Sequence, residues 1–296
     1  MECYILTQFC GAFGYTDDLI LLAPTVHSLQ QMLNICADYA LEFKVLFNPT
    51  KSKLIVCGPT GDTIKSPEIK FMGGTIDPAS YDKHLGNYIG NISQRDVITH
   101  MTNDFRNRVN MVKTHFKWLP VDTIYTLFKA YCMPLYGCQL IDLSLIGAIS
   151  SFYVAWRKSI RYLLNIPRTT HCSLLHMICD DAPIHIQMCR RNLKFFKSLI
   201  HSSNDVTRYC AKFALNGSRS PLSNNITYAC NIIKCSRNSL VSKSDANVFA
   251  HDSPDNKVKA SVIRDLLYMK HHQLLSDMGI LSMDEIEFAL RELCTF

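Results

Sequence analysis

The sequence predicts an α+β protein whose strands lie in the first third of the chain and whose helices fill the rest. Up to residue 92, short apolar runs alternate with turns rich in Gly, Pro and Asn, and one longer stretch has helical spacing. From residue 93 onward, apolar residues recur every three or four positions, which is typical of amphipathic helices. The chain therefore divides into a strand-rich segment 1–92, a helical segment 93–199, and a mainly helical segment 200–296 with loops.

The first feature is the stretch GYTDDLILLAP at residues 14–24. Gly11 and Gly14 allow a tight turn before the two aspartates. The apolar run 19–22, which ends at Pro24, predicts a strand that is covered on both faces. We therefore expect a β-hairpin with Asp17 and Asp18 at its tip. The alternative is an ordinary solvated turn, because Asp side chains often close turns by bonding their own backbone.

One helix and several further strands complete the first segment. Thr25 is a predicted N-cap, and the helix after it carries apolar residues at helical spacing as far as Phe43. The other expected elements are strands at 45–48 and 53–57 around the turn sequence NPTKS, a loop at 58–62, and strands at 69–72 and 84–89. This pattern predicts a β layer with a helix on one face.

Four helices are expected between residues 93 and 200. The first begins with a capping box formed by Ser93 and Asp96 and continues as far as Phe116. The others are expected at 121–132, at 145–164, and from about Pro183. Beyond residue 200, loops are expected at 216–225 and 242–257, and helices at 259–276 and 284–293.

Positive charge is concentrated in the middle of the chain. The 296 residues are 48% hydrophobic and 19% charged, a composition that excludes a disordered chain and allows one or two folded domains. Residues 1–92 hold six Lys and Arg against nine Asp and Glu, whereas 93–199 hold fourteen against six, a net charge of +8. Such a segment suits a surface that follows a phosphate backbone; the alternative is a set of ordinary solvated helix faces.

Cysteine usage and hydropathy bear on the compartment. The thirteen cysteines are an odd number, and none has the C-x-x-C spacing of zinc or redox sites. Buried, reduced thiols are therefore the favoured interpretation. The first residues carry an acid instead of a basic leader, and no apolar run approaches the about 18 residues that a membrane span requires. We expect an intracellular, reducing location and no membrane partner.

The two adjacent aspartates predict a metal site. Two carboxylates held at a rigid tip repel each other unless a cation lies between them. Oxygen ligands with few dedicated protein groups suit Mg²⁺. In polymerases such ions orient the attacking 3′-hydroxyl and neutralise the leaving pyrophosphate.

Six elements in order give the chain a resemblance to a known family. They are YTDD at 15–18, FNPTKSK at 47–53, KHLGNYIG at 83–90, LFKAYCMPLYGCQLIDL at 127–143, AWRKSIRYLLNIPRTTHCSLL at 155–175 and CRRNLKFFKSL at 189–199. Together they resemble the second half of the palm and the following helices of the reverse transcriptase of non-LTR, jockey-like retrotransposons. The resemblance covers roughly residues 14–235, and it implies an RNA-directed DNA polymerase.

Carried over position by position, the resemblance implies that Asp17 is the metal-binding carboxylate and Asp18 its companion, with Mg²⁺ as the cofactor. Tyr15 would lie beneath the primer end, and Lys51 would protonate or steady the leaving pyrophosphate. For Tyr15 and Lys51 the alternative is ordinary packing and solvation of a hairpin. Position 16 is often alanine in this family; Thr16 is β-branched and is expected to fit a strand.

The resemblance also implies partners. An RNA template and a DNA primer would be held by the helical region, so that segment 1–92 corresponds to a partial palm and 93–199 to a basic, thumb-like or connection-like region. The residues expected to contact nucleic acid there are Arg106, Arg108, Arg157, Lys158 and Arg161.

One feature of the family has no counterpart in this sequence. In these polymerases a further metal-binding aspartate lies well upstream of the Tyr-x-Asp-Asp turn, together with the fingers. Here 14 residues precede Tyr15, and their one acid is Glu2. A two-metal site needs carboxylates from separate strands to hold ions about 4 Å apart. We therefore expect a C-terminal fragment of a nucleotidyltransferase that is inactive by itself.

Two other functions stay open at this point. The chain could be a non-catalytic remnant whose helices bind nucleic acid through phosphate contacts. It could also be a helical interaction module without a polymer partner. The sequence leaves the oligomeric state open.

Overall fold

The structure is a computed structural model, and it describes residues 3–5, 7–57, 67–135, 137–170, 172, 175, 178, 179, 181–217, 220–233 and 236–242. Short strand pairs come first and helices follow, so the predicted α+β class is confirmed. The expected loop 58–62 and the expected helices 259–276 and 284–293 lie outside the described residues, as does nearly all of the expected loop 242–257. Among the described residues, those up to Ser93 and those from Ser202 to Cys210 form one compact unit, and the rest form another.

The strands of the first unit pair two by two. They are β1 (Tyr4–Ile5), β2 (Gln8–Phe9), β3 (Ala12–Tyr15), β4 (Asp18–Leu21), β5 (Lys53–Ile55), β6 (Lys70–Phe71), β7 (Gly74–Thr75), β8 (Asp77–Ala79), β9 (Tyr81–His84) and β10 (Asn87–Gly90). The antiparallel pairs are β1–β2, β3–β4, β6–β7 and β9–β10. Strand β5 runs parallel to β8.

One helix, α1 (Val26–Phe43), packs on these strands. Its predicted N-cap is confirmed, because Thr25 Oγ1 accepts a hydrogen bond from the Ser28 amide at 3.1 Å. The Gln30 side chain binds both backbone groups of Lys70, donating to its carbonyl at 2.8 Å and accepting from its amide at 3.2 Å. Below α1 lies a small core of Leu33, Leu54, Ile69, Phe71 and Ile76.

Three expectations for this unit are wrong. Residues 45–48 form no strand, because Asn48 instead closes a turn by accepting from the Thr50 amide at 3.0 Å. The expected strand 84–89 is interrupted by a turn at Leu85 and Gly86, both with positive φ, which joins β9 to β10. The strand after the two aspartates is not covered on both faces: among the described strands, β4 pairs with β3 alone, and Leu19 is 42% exposed.

The second unit is helical, and the predicted helices between residues 93 and 200 are confirmed to within a residue or two. Its described helices are α2 (Gln94–Phe116), α3 (Val121–Leu127) with a π-turn (Phe128–Cys132), α4 (Ile146–Leu163), α5 (Ile184–Ile200), α7 (Pro221–Ile233) and α8 (Arg237–Ser242). Helix α6 (Asp205–Leu215) begins among the residues assigned to the first unit and ends among those of the second. The expected loop 216–225 is wrong in its second half. Pro221 opens α7, because proline suits the first helical position and Ser220 Oγ accepts from the Ser223 amide at 3.2 Å.

Aromatic packing holds the first helices of this unit together. Phe105 of α2 lies edge to face with Phe128 at 6.0 Å and with Phe152 of α4 at 5.3 Å between ring centres. All three side chains are fully buried. Such pairs stabilise a core beyond the area they bury, so this cluster fixes α2 against α4.

A buried amide network joins the later helices. Asn225 of α7 donates to the Ile141 carbonyl at 2.7 Å and to Asn192 Oδ1 of α5 at 2.9 Å. Its own Oδ1 accepts from the Leu143 amide at 2.7 Å. The network therefore satisfies buried polar groups on three segments of the chain.

Candidate metal site and nucleic-acid surface

The predicted hairpin at Asp17 and Asp18 is confirmed. Strands β3 and β4 pair with Tyr15 opposite Asp18, so Thr16 and Asp17 form a two-residue turn. Asp17 lies in the turn, and Asp18 is the first residue of β4. The expectation that Thr16 fits a strand is wrong: its φ is +52°, in the left-handed region that β-branched residues rarely adopt.

The strained threonine also contacts the first carboxylate. Thr16 Oγ1 lies 2.9 Å from Asp17 Oδ1 and 2.7 Å from the Tyr15 carbonyl oxygen. The hydrogen bond from the Thr16 hydroxyl, followed by the hydrogen bond from the Asp17 amide, lowers the pKa of Asp17. Both hydrogen bonds therefore favour the ionised form of Asp17, the form in which a carboxyl group binds a metal.

The second carboxylate faces a histidine that sequence reasoning missed. Asp18 Oδ2 lies 3.5 Å from His84 Nδ1, and the Asp18 side chain is 55% exposed against 25% for His84. His84 is the last residue of β9, directly before the turn of the next hairpin. Sixty-six positions of the sequence separate the two residues. The sequence signal for their contact is weak, because all they share is a position beside a hairpin turn.

Lys51 lies in a different turn of the first unit from the one that carries Asp17. It belongs to the turn that Asn48 closes, where its amide donates to Asn48 Oδ1 at 3.3 Å. Its side chain is exposed, and within the described residues it forms no ion pair with Asp17 or Asp18. The structure thus brings Asp18 to His84 and does not bring Lys51 to either aspartate.

The donor set of the hairpin suits a hard cation, because both side chains offer carboxylate oxygens. In the described part of the chain, however, no three His, Cys, Asp or Glu side chains converge as metal ligands would. Asp17 and Asp18 can supply two ligands to Mg²⁺. The remaining coordination positions would fall to water, substrate or further carboxylates.

The five basic residues that the sequence singled out divide into two groups. Arg108 donates to the Pro134 carbonyl at 2.8 Å, and Arg161 donates twice to the Thr170 carbonyl, at 3.0 and 2.6 Å. These two guanidinium groups satisfy internal carbonyl groups. Arg106 and Lys158 are exposed, Arg157 is half-buried, and none of them has a polar partner among the described residues. A charge count alone does not separate the two groups.

The thiols are free wherever the structure describes them. Burial raises the pKa of Cys132 to about 11 and the pKa values of Cys179 and Cys189 to about 12. Cys57, Cys172 and Cys210 are exposed. The buried cysteines therefore act as small hydrophobic side chains, since thiols that are protonated at neutral pH are poor nucleophiles.

Within the described ranges, no helix has the length and apolar character needed to cross a membrane. No protein-family model, curated protein or solved structure matches this chain.

Proposed function

We propose that this chain carries the metal-binding hairpin and the following helical region of an RNA-directed DNA polymerase of the reverse transcriptase class. The observation that carries the proposal is the β3–β4 hairpin, which has a two-residue turn and presents adjacent aspartates at its tip. The resemblance of YTDD and the five later elements to non-LTR retrotransposon enzymes supports the same function.

In this proposal each residue of the hairpin has a separate task. Asp17 and Asp18 supply carboxylate ligands, and Mg²⁺ held there would orient the attacking 3′-hydroxyl and neutralise the leaving pyrophosphate. Thr16 favours the ionised form of Asp17 through its hydrogen bond. Tyr15, which is exposed beside them, supports the primer end. The role of Lys51 at the pyrophosphate is supported by the resemblance alone, because its exposed side chain belongs to a separate turn.

A complete two-metal site needs a further carboxylate on another strand. Because the described residues bring no third acidic ligand to the hairpin, we infer that this chain alone does not extend a primer. Joined to a polymerase segment that contains the fingers and the first palm strands, it would extend a DNA primer on an RNA template with Mg²⁺. No extension by this joined protein would count against the proposal.

Nucleic-acid binding without catalysis is the second candidate function. The +8 net charge of residues 93–199 favours it, together with the unengaged side chains of Arg106, Arg157 and Lys158. Phosphate contacts of this kind weaken as salt rises, because binding releases counterions.

The test of this second function compares two kinds of arginine. Arg157→Ala is expected to weaken binding of an RNA–DNA duplex and to lower its salt dependence. Arg161→Ala serves as the contrast, because it removes hydrogen bonds to the Thr170 carbonyl. Its main expected effect is a lower free energy of unfolding. Binding that is absent, or insensitive to salt, would favour a helical interaction module instead.

A further inference from the structure

The β9–β10 hairpin is anchored to the segment of β5 at its open end. Asn91, directly after β10, donates from its side chain to the Val56 carbonyl at 2.8 Å and from its amide to the Ser80 carbonyl at 2.7 Å. A Cβ atom at Gly90 would lie only 2.9 Å from the Ile55 side chain, so β10 and β5 approach closely there. The hairpin is therefore fixed against a strand that contributes to the small core below α1.

His84 lies at the other end of the same hairpin. It is the last residue of β9 and pairs with Asn87, the first residue of β10. The Asn87 side chain donates to the Leu85 carbonyl at 3.2 Å, which closes the turn between the two strands. The His84 side chain is 25% exposed. The imidazole thus belongs to a hairpin that hydrogen bonds hold at both ends.

Asp18 is held less firmly by its own hairpin. It is the first residue of β4, and its cross-strand neighbour Tyr15 is 59% exposed. The Asp18 side chain is itself 55% exposed, and its one polar contact within the described residues is the 3.5 Å approach of Oδ2 to His84 Nδ1. An exposed carboxylate without such a contact samples several rotamers. His84 therefore restricts where the Asp18 carboxylate points.

We infer that His84 is a positioning residue of the proposed metal site. Its Nδ1 holds Oδ2 of Asp18, so that the other carboxylate oxygen stays available to a cation that Asp17 shares. A ligand whose rotamer is fixed before the metal arrives loses less conformational entropy on binding. The inference rests on the proposed function for the metal, but it concerns only the side chains of this chain.

Manganese binding to the full chain tests this inference without catalysis. Mn²⁺ accepts the same oxygen ligands as Mg²⁺, and its unpaired electrons broaden the NMR signals of nearby amides. Mn²⁺ would be added to isotope-labelled chain at about pH 8, where an ordinary imidazole is uncharged, and the amide signals of Asp17 and Asp18 followed. His84→Ala should raise the Mn²⁺ concentration of half-broadening about threefold, the size expected for one exposed contact.

Two amide variants test the geometry of the contact. Asparagine places a side-chain nitrogen where Nδ1 of histidine lies, whereas glutamine places it where Nε2 lies. His84→Asn should therefore bind Mn²⁺ as the parent does, and His84→Gln should resemble His84→Ala. A purely structural role of His84 would not separate these two amides. Hydrogen exchange of the amides in β9 and β10 checks that each variant keeps the hairpin.

Lys83→Ala is the matched control. Lys83 is the exposed neighbour of His84 on β9, and successive side chains of a strand point to opposite faces. Its removal should leave the Mn²⁺ concentration of half-broadening unchanged.

The outcomes separate this inference from the proposed function. Equal Mn²⁺ concentrations in the parent and in His84→Ala would overturn the positioning role and leave the metal site standing. A lower concentration in His84→Ala would also overturn it, because His84 would then only compete with the cation for Asp18. No broadening at Asp17 and Asp18 in the parent would count against the metal site and the inference together.

Discussion

Asp18 Oδ2 lies 3.5 Å from His84 Nδ1, and this contact joins the start of β4 to the end of β9. The β3–β4 hairpin that presents the two aspartates is therefore held from a second hairpin as well as by its own strand pairing. In the proposed polymerase site, His84 would position Asp18 relative to Asp17.

The energy of this contact should be small. Both side chains are partly exposed, and exposed ion pairs typically stabilise a protein by less than about 1 kcal/mol. A double-mutant cycle of Asp18→Asn and His84→Ala would measure the coupling by amide hydrogen exchange in β3 and β4. A coupling above about 2 kcal/mol would show a stronger contact than this geometry supports.

The hydroxyl group of Thr16 should control the ionisation of Asp17. Thr16→Ala removes the largest cause of the lowered pKa, so we expect the pKa of Asp17 to rise toward its ordinary value. Thr16→Ser keeps the hydroxyl and should keep the pKa low. An NMR titration of the Asp17 carboxyl group checks both variants. The same pKa in Thr16→Ala and the parent would mean that the hydroxyl plays no part.

The amide network around Asn225 should be necessary for the stability of the second unit. Asn225→Ala removes the partner that binds the Leu143 amide, the Ile141 carbonyl and Asn192 Oδ1. We expect the free energy of unfolding to fall by about 3 kcal/mol. Urea unfolding followed by Trp156 fluorescence measures it. Asn107→Ala, at an exposed position of α2, should change it by less than about 0.5 kcal/mol.

The buried thiols should make the second unit sensitive to alkaline pH. Burial raises the pKa values of Cys179 and Cys189 from 9.0 to about 12, so the folded state keeps protons that the unfolded chain has lost. Their contribution to stability is therefore complete below about pH 9 and is lost as the pH rises to about 12. Urea unfolding at about pH 8 and about pH 10.5 should show this loss.

A pair of cysteine variants identifies the source of that pH dependence. Cys189→Ala removes one of the buried thiols, so it should reduce the fall in stability between the two pH values. Cys210→Ala, at an exposed position, should leave the fall unchanged. Equal pH dependence in Cys189→Ala and the parent would contradict the assignment.

Local patterns were enough to predict the helices as far as residue 200. The N-cap at Thr25 and the apolar spacing of α2, α4 and α5 depend on residues a few positions apart, and the structure confirms them. Short strands were harder, because two or three residues carry little periodicity. Residues 45–48 have the apolar content of a strand. They form none, because Asn48 closes a turn by accepting a hydrogen bond from the Thr50 amide.

The candidate site shows the same limit. The hairpin of Asp17 and Asp18 follows from its own sequence, whereas the contact between Asp18 and His84 joins two hairpins that are far apart in the sequence. Charge likewise does not indicate what a side chain binds. Arg157 and Arg161 are four residues apart on α4, but only Arg161 is bonded to the Thr170 carbonyl.

Primer extension decides whether the β3–β4 hairpin binds the metal of a polymerase site. The chain would be joined to a polymerase segment that supplies the fingers and the first palm strands, and DNA synthesis on an RNA template would be measured with and without Mg²⁺. We predict Mg²⁺-dependent synthesis that falls to background in Asp17→Asn and is unchanged in Asp38→Asn, an exposed position on α1. Synthesis that continues in Asp17→Asn would contradict the assignment of the β3–β4 hairpin as the metal-binding tip.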